Sequence, residues 1–285
     1  MELTLYPTYF MIRAKLPALV LPLLLLGCSA LPIQQSRSTV AVSDVKEPYQ
    51  LDEYAQVLDT YVDEKGLVDY DGLQANREQL DRVVASFGAV TPDTYDSWSE
   101  DDQIAFLINA YNVFTLQSII DQEPLKSSIR DIPGVWRVRQ FDIAGDEKTL
   151  DTIEHGVLRV DFDEPRIHAA LVCAAISCPP LRGEPFRGEQ LDAQLDDQVD
   201  QWLTGEHGLK VDQAGDRVAI SSIFEWFGED WIPQYANAQF PGNDKEQAVL
   251  SFITDYVDPE TKAYLEQGGY DVTYLDYDWS LNRQS

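Results

Sequence analysis

The sequence predicts an α+β fold: one globular domain with a mostly helical body and a small antiparallel sheet, preceded by a lipoprotein signal and a tether. Three observations carry this. Helix-period apolar patterns with cap residues recur along the chain, a single strand-turn-strand signal stands at residues 209–220, and no repeat or long linker interrupts Leu51 to Asn282. The 285 residues are 44% apolar and 11% aromatic, enough to bury a sizeable core.

The amino terminus comes first. Arg13 and Lys15 precede an apolar run from Leu16 to Leu26, and Gly27-Cys28 follows. A run this short does not span a bilayer, which takes about 20 apolar residues, so it is expected to be a signal and not an anchor. Leu25-Leu26-Gly27-Cys28 resembles the lipobox of bacterial lipoproteins, in which the cysteine is acylated and becomes the first residue. The expected division is a signal over 1–27, a lipidated Cys28 with a tether over 28–49, and one domain over 50–285. The start is open between Met1 and Met11. Ser29 after the cysteine resembles the pattern sorted to the outer membrane, with the domain facing the periplasm. A tether of about 20 flexible residues reaches roughly 25 Å.

Along the domain, Leu51, Tyr54, Val57, Leu58 and Tyr61 share a helix face, and Gly66 and Gly72 are expected to break the pattern. Ser97 to Glu100 fits a capping box for a helix that is apolar nearly all round from Ile104 to Ile120 and therefore buried. Asn109 and Asn112 lie about 60° apart on it, a polar spot in an apolar surround. Val135 to Ile143 alternates as a strand, and Asp151 to Glu154 fits a second capping box for a helix through Arg159. Pro165 suits the first turn of a helix running to about Ala175, which must stop before Pro179-Pro180. Leu209–Asp212 and Arg217–Ile220 flank a turn as a hairpin, and Ser222 caps a helix bearing Phe224, Trp226 and Phe227. Helices over 244–256 and 260–265 and an alternating strand from Tyr270 to Trp279 complete the chain.

The formal charge of −28 opposes sequence-independent binding to nucleic acid or an anionic surface. The charge is unevenly spread. From Lys126 to Arg187 nine basic side chains face ten acidic ones, so the acidic excess lies almost wholly outside this segment. The segment suits either a pocket for a neutral or anionic ligand or a core whose arginines pair with its own acids.

The same segment holds His155, His168, Cys173 and Cys178. His155 and Arg159 are four apart on one helix face, and a close guanidinium favours neutral imidazole, the form a base or ligand needs. His168 and Cys173 are five apart and would point about 140° apart in a continuous helix, so they are no dyad. Cys178 precedes a proline and is expected in an extended loop. It could act as a nucleophile with His155 or His168 as base and Asn109 or Asn112 as orienting or oxyanion-binding amide. Cys173 and Cys178 could instead form a disulfide, provided the helix unwinds. A zinc site from His155, His168, Cys173 and Cys178 lacks the usual close ligand pairs, so neither metal nor cofactor is expected.

Ile108 to Asn112, Thr149 to Arg159, Pro165 to Cys173, Ser177 to Pro180 and Tyr277 to Asn282 together resemble the domain-of-unknown-function family 547. The resemblance brings no established reaction. It implies a shared structural or binding role for His155, Arg159, Asn109 and Asn112, while the family's plant branch often has other residues where this chain has His168 and Cys178. The expected function is a cell-envelope lipoprotein with a binding or interaction domain. Its partners would be the membrane, through lipid on Cys28, and an envelope protein or small-molecule ligand. The alternative is a thiol-dependent hydrolase or acyltransferase using Cys178 with His155 or His168.

Overall fold

The buried helix Glu100–Ile120 is the axis of the molecule, and the remaining elements are placed by what they pack on it. The computed structural model describes residues 50–284. The signal, Cys28 and the tether lie outside the described residues.

Before the axis come α1 (Leu51–Tyr61), α2 (Tyr70–Ala75), α3 (Glu78–Ala89) and α4 (Pro92–Asp96), and the axis itself is α5. Every residue of α5 from Ile104 to Ile120 is buried, as expected of a helix apolar nearly all round, and its polar residues Asn109, Asn112, Thr115, Gln117 and Ser118 are buried with it. The cap is Ser99, whose hydroxyl accepts from the Asp102 amide, while Ser97 ends α4. Gly72 sits inside α2 and breaks nothing.

A two-stranded antiparallel ribbon follows, β1 (Phe141–Ile143) with β2 (Asp146–Lys148). The strand expected from Val135 shrinks to its last three residues. The backbone amides of Val138 and Arg139 both turn back to the Gly134 carbonyl, which has a positive φ of 71°. Thr152–Leu158 is a π-helix that runs into α6 (Arg159–Asp161). Such widened turns are rare and are often found at functional sites.

The next helix, α7 (Ile167–Ala170), is one turn long instead of reaching Ala175. Asn112 explains the early end. Its amide donates to the Ala170 carbonyl at 2.9 Å and accepts from the Val172 amide at 2.9 Å, which satisfies both groups outside a helix. The chain leaves α7 extended and crosses α5.

Beyond lie α8 (Leu191–Thr204) and the hairpin β3 (Leu209–Asp212) and β4 (Arg217–Ile220), paired antiparallel at the predicted residues. Then come α9 (Ser222–Phe227), capped by Ser221 and not Ser222, α10 (Ile232–Tyr235), α11 (Asp244–Ile253) and α12 (Pro259–Gln267). The last strand, β5 (Asp271–Tyr274), adds to β4 in parallel, so this second sheet is mixed. It stops short of Trp279 because residues 278–282 hydrogen-bond instead to the loop at 174–177. That return path brings Tyr277 and Trp279 beside the cysteine loop.

Two apolar clusters form the core. One surrounds α5, and the other packs Trp202, Phe224, Trp231 and Phe252 under the mixed sheet. The functional residues lie where the π-helix, α7 and α9 meet.

Candidate functional site

A cleft of about 530 Å³ opens between the 130–137 loop, the π-helix, the end of α7, α9 and the carboxy-terminal segment. Its floor carries Glu154 and the two cysteines, and its walls carry ring systems. Trp226, Tyr277 and Trp279 form one aromatic group, with ring centroids 4.6–5.8 Å apart, and Trp136 meets Trp279 edge-on at 6.2 Å.

Beside the floor runs a chain of polar contacts centred on Asp230. His168 Nε2 lies 2.7 Å from Asp230 Oδ2, and the Arg159 guanidinium grips the same carboxylate through Nε at 2.6 Å and Nη2 at 2.8 Å. Burial by itself works to raise the Asp230 pKa. The hydrogen bonds from His168 and Arg159 outweigh it and hold the carboxyl well below the usual carboxylate range. Arg159 also approaches Glu229 at 3.3 Å and, through Nη1, His155 Nδ1 at 3.1 Å. A guanidinium has no acceptor, so His155 Nδ1 must accept and its proton sits on Nε2. Phe227 fills the middle, stacked on His168 at 4.6 Å and lying under Arg159 at 4.9 Å.

Glu154 is 9% exposed. It faces the phenol of Tyr111, whose pKa is pushed well above the ordinary value by burial and by this carboxylate. Burial, with the same carboxylate adding to it, also raises Tyr277. Both tyrosines are therefore protonated donors at any physiological pH.

Cys173 and Cys178 are joined as a disulfide, their Cα atoms 6.3 Å apart, and the Tyr277 hydroxyl lies 3.2 Å from each sulfur. The early end of α7 is what lets these residues meet. A thiol-dependent hydrolase or acyltransferase accordingly has no thiolate nucleophile in this structure, and Cys178 is buried besides.

Of the residues singled out from sequence, His155, His168, Cys173 and Cys178 line the cleft, and Arg159 stands behind His155. Asn109 and Asn112 do not serve it. Asn109 donates to the Phe186 carbonyl at 2.8 Å and accepts from the Phe186 amide at 3.0 Å, as Asn112 does for Ala170 and Val172, so both amides clamp backbone rather than orient a base or bind an oxyanion. The arginines of the neutral segment pair largely outward. Arg139 binds Asp121, Arg159 binds Asp230, and Arg187 binds Asp52, while Arg166 and Arg182 bridge acids inside and outside it. Among the described residues, no group of three or more His, Cys, Asp or Glu is arranged to hold a metal ion.

Sequence reasoning missed Glu154, Asp230 and the aromatic wall as site residues. A signal existed for Asp230, since Glu229-Asp230 interrupts the run from Phe224 to Trp231. Tyr277 and Trp279 stand in a motif that carries the resemblance, but nothing in it gives them a place in the site, which they reach by the return of the last segment.

The family model described as "Protein of unknown function, DUF547" matches residues 95–203. Over that segment the chain is similar to this family. The match ends before the last of the motifs that carry the resemblance, Tyr277 to Asn282. The DUF547 segment holds α5, the π-helix, α7 and both cysteines, hence Glu154, His155, Arg159 and His168, whereas Asp230, Trp226, Tyr277 and Trp279 come from beyond it. No curated protein and no solved structure matches the chain.

Proposed function

We propose that this chain is a cell-envelope lipoprotein, held to the outer membrane by lipid on Cys28 and facing the periplasm, whose DUF547 domain binds a small ligand in the cleft. One observation carries the binding reading: a concave site of about 530 Å³ walled by Trp136, Trp226, Tyr277 and Trp279 with a few convergent polar groups at its floor. Ligand sites have this composition, apolar walls for affinity and sparse polar groups for orientation. The envelope reading is supported by the lipobox-like run before Cys28 and by a disulfide, a bond that persists in oxidising compartments.

The binding test is titration of the full-length protein with the neutral apolar dye N-phenylnaphthylamine, read by dye fluorescence and tryptophan quenching. Trp226, 38% exposed, can be removed without touching the core. Trp226→Ala should weaken dye binding at least tenfold. Undiminished binding in that variant, or no binding by the parent, would overturn the cleft as the site. For the anchor, Cys28→Ser should move the protein from the membrane to the soluble fraction and abolish palmitate labelling. Retention of either property would refute it.

A further inference from the structure

Among the described residues, Glu154 is a buried carboxylate that forms no salt bridge with a Lys or Arg, and Arg159 acts on it only at longer range. Among the described residues, its one basic neighbour within 4.0 Å is His155 Nδ1, at that distance. That atom already accepts from Arg159, so it has no proton to give Glu154. Arg159 is in turn committed to Asp230 and Glu229. Arg137, at the mouth, is paired with Asp151 at 2.8 Å. Burying a carboxylate away from water is costly unless a counter-charge answers it, and Tyr111 supplies only a neutral donor.

The rest of the cleft suits one kind of counter-charge. Ring faces attract cations, most strongly those of tryptophan. The cleft shows this internally, with Arg130 resting 5.1 Å from the Trp279 centroid and Arg159 4.9 Å from Phe227. A compact metal ion finds no cluster of ligands among the described residues. A net charge of −28 draws cations toward the protein as a whole.

We infer that the cleft takes an organic ammonium group, primary or quaternary, seated against the faces of Trp226 and Tyr277 with Glu154 as its counter-ion. This rests on the binding reading above and names the ligand's chemistry. Arg130 and Arg137 at the mouth leave room for the far end of the same molecule to be neutral or anionic.

Calorimetric titration of the full-length protein, in a sugar-headgroup detergent free of ammonium, tests it. The probes are choline, phosphocholine and ethanolamine, with the carbon isostere of choline, in which a tert-butyl group replaces trimethylammonium, as the neutral control. At least one ammonium compound should bind, and the neutral isostere should bind at least tenfold more weakly than choline if choline is that compound. Glu154→Gln should lose at least tenfold in affinity for the ammonium probe with little change for the neutral dye. Should that variant fail to fold, Trp226→Leu keeps an apolar wall without a cation-binding face and should lose ammonium affinity while retaining the dye. Equal binding of choline and its isostere, ammonium binding unaffected by Glu154→Gln or Trp226→Leu, or no ammonium binding at all would each overturn the inference. Dye binding that persists in that last case leaves the cleft a binding site of other chemistry. Absence of both would defeat the two readings together.

Discussion

Asp230→Asn is the most informative single change, because one carboxylate holds together two side chains, Arg159 and His168, from elements far from it in the chain. Asp230 receives charge-assisted hydrogen bonds of 2.6 and 2.8 Å from Arg159 and faces His168 Nε2 at 2.7 Å. Asparagine keeps the shape but turns an N–H pair toward groups that are themselves donors. Breaking one side of a fully buried ion pair costs roughly 3–5 kcal/mol. The Asp230 side chain is 20% exposed, so we expect about 2–4 kcal/mol at pH 7. The pH dependence adds a signature. The folded-state pKa lies below the unfolded value of about 3.9, so on acidification the unfolded chain binds the proton first. Stability contributed by Asp230 is therefore complete above the unfolded value and falls as pH drops toward the folded one, by up to roughly 1.4 kcal/mol per pH unit. Asparagine does not titrate, so the gap between the two proteins must narrow over that window. Urea unfolding of both at pH 7, 4 and 3 measures it. A difference under about 1 kcal/mol at pH 7, or one that does not shrink between pH 4 and pH 3, would refute the assignment of Asp230 as the hub.

Two further outcomes follow from the clamp and the cross-link. Asn112→Ala orphans the Ala170 carbonyl and the Val172 amide, each worth about 1–3 kcal/mol when buried, so urea unfolding should show a loss of roughly 2–6 kcal/mol, and a loss below about 1 kcal/mol would mean the end of α7 is held by something else. The Cys173→Ser, Cys178→Ser protein should be about 2 kcal/mol less stable, the value for a short closed loop. Denatured Cys28→Ser protein should titrate no thiol until reductant is added, and two thiols before reduction would show that the disulfide does not form.

The sequence by itself determined the local elements. A long helix apolar nearly all round is expected to be buried, and α5 is; a period-two pair around a turn is expected to close as a hairpin, and β3–β4 pairs at the residues expected. The same local reading located His155 beside Arg159, since four residues of helix bring them together whatever the rest of the chain does. It misjudged the elements whose ends depend on distant partners. The helix at Pro165 looked longer because nothing nearby reveals that Asn112, 58 residues before Ala170, captures its last carbonyl. The strand to Trp279 looked longer because its edge is claimed by the 174–177 loop. Only the tertiary structure decided that Cys173 and Cys178 are bonded, that the polar spot on α5 is a backbone clamp, and that Glu154 lines one cleft with Trp226, Tyr277 and Trp279. Local structure follows from periodicity and caps within a few residues, whereas a site follows from which buried polar groups find each other across the fold. That pairing is decided by packing, and adjacency in the sequence carries no record of it.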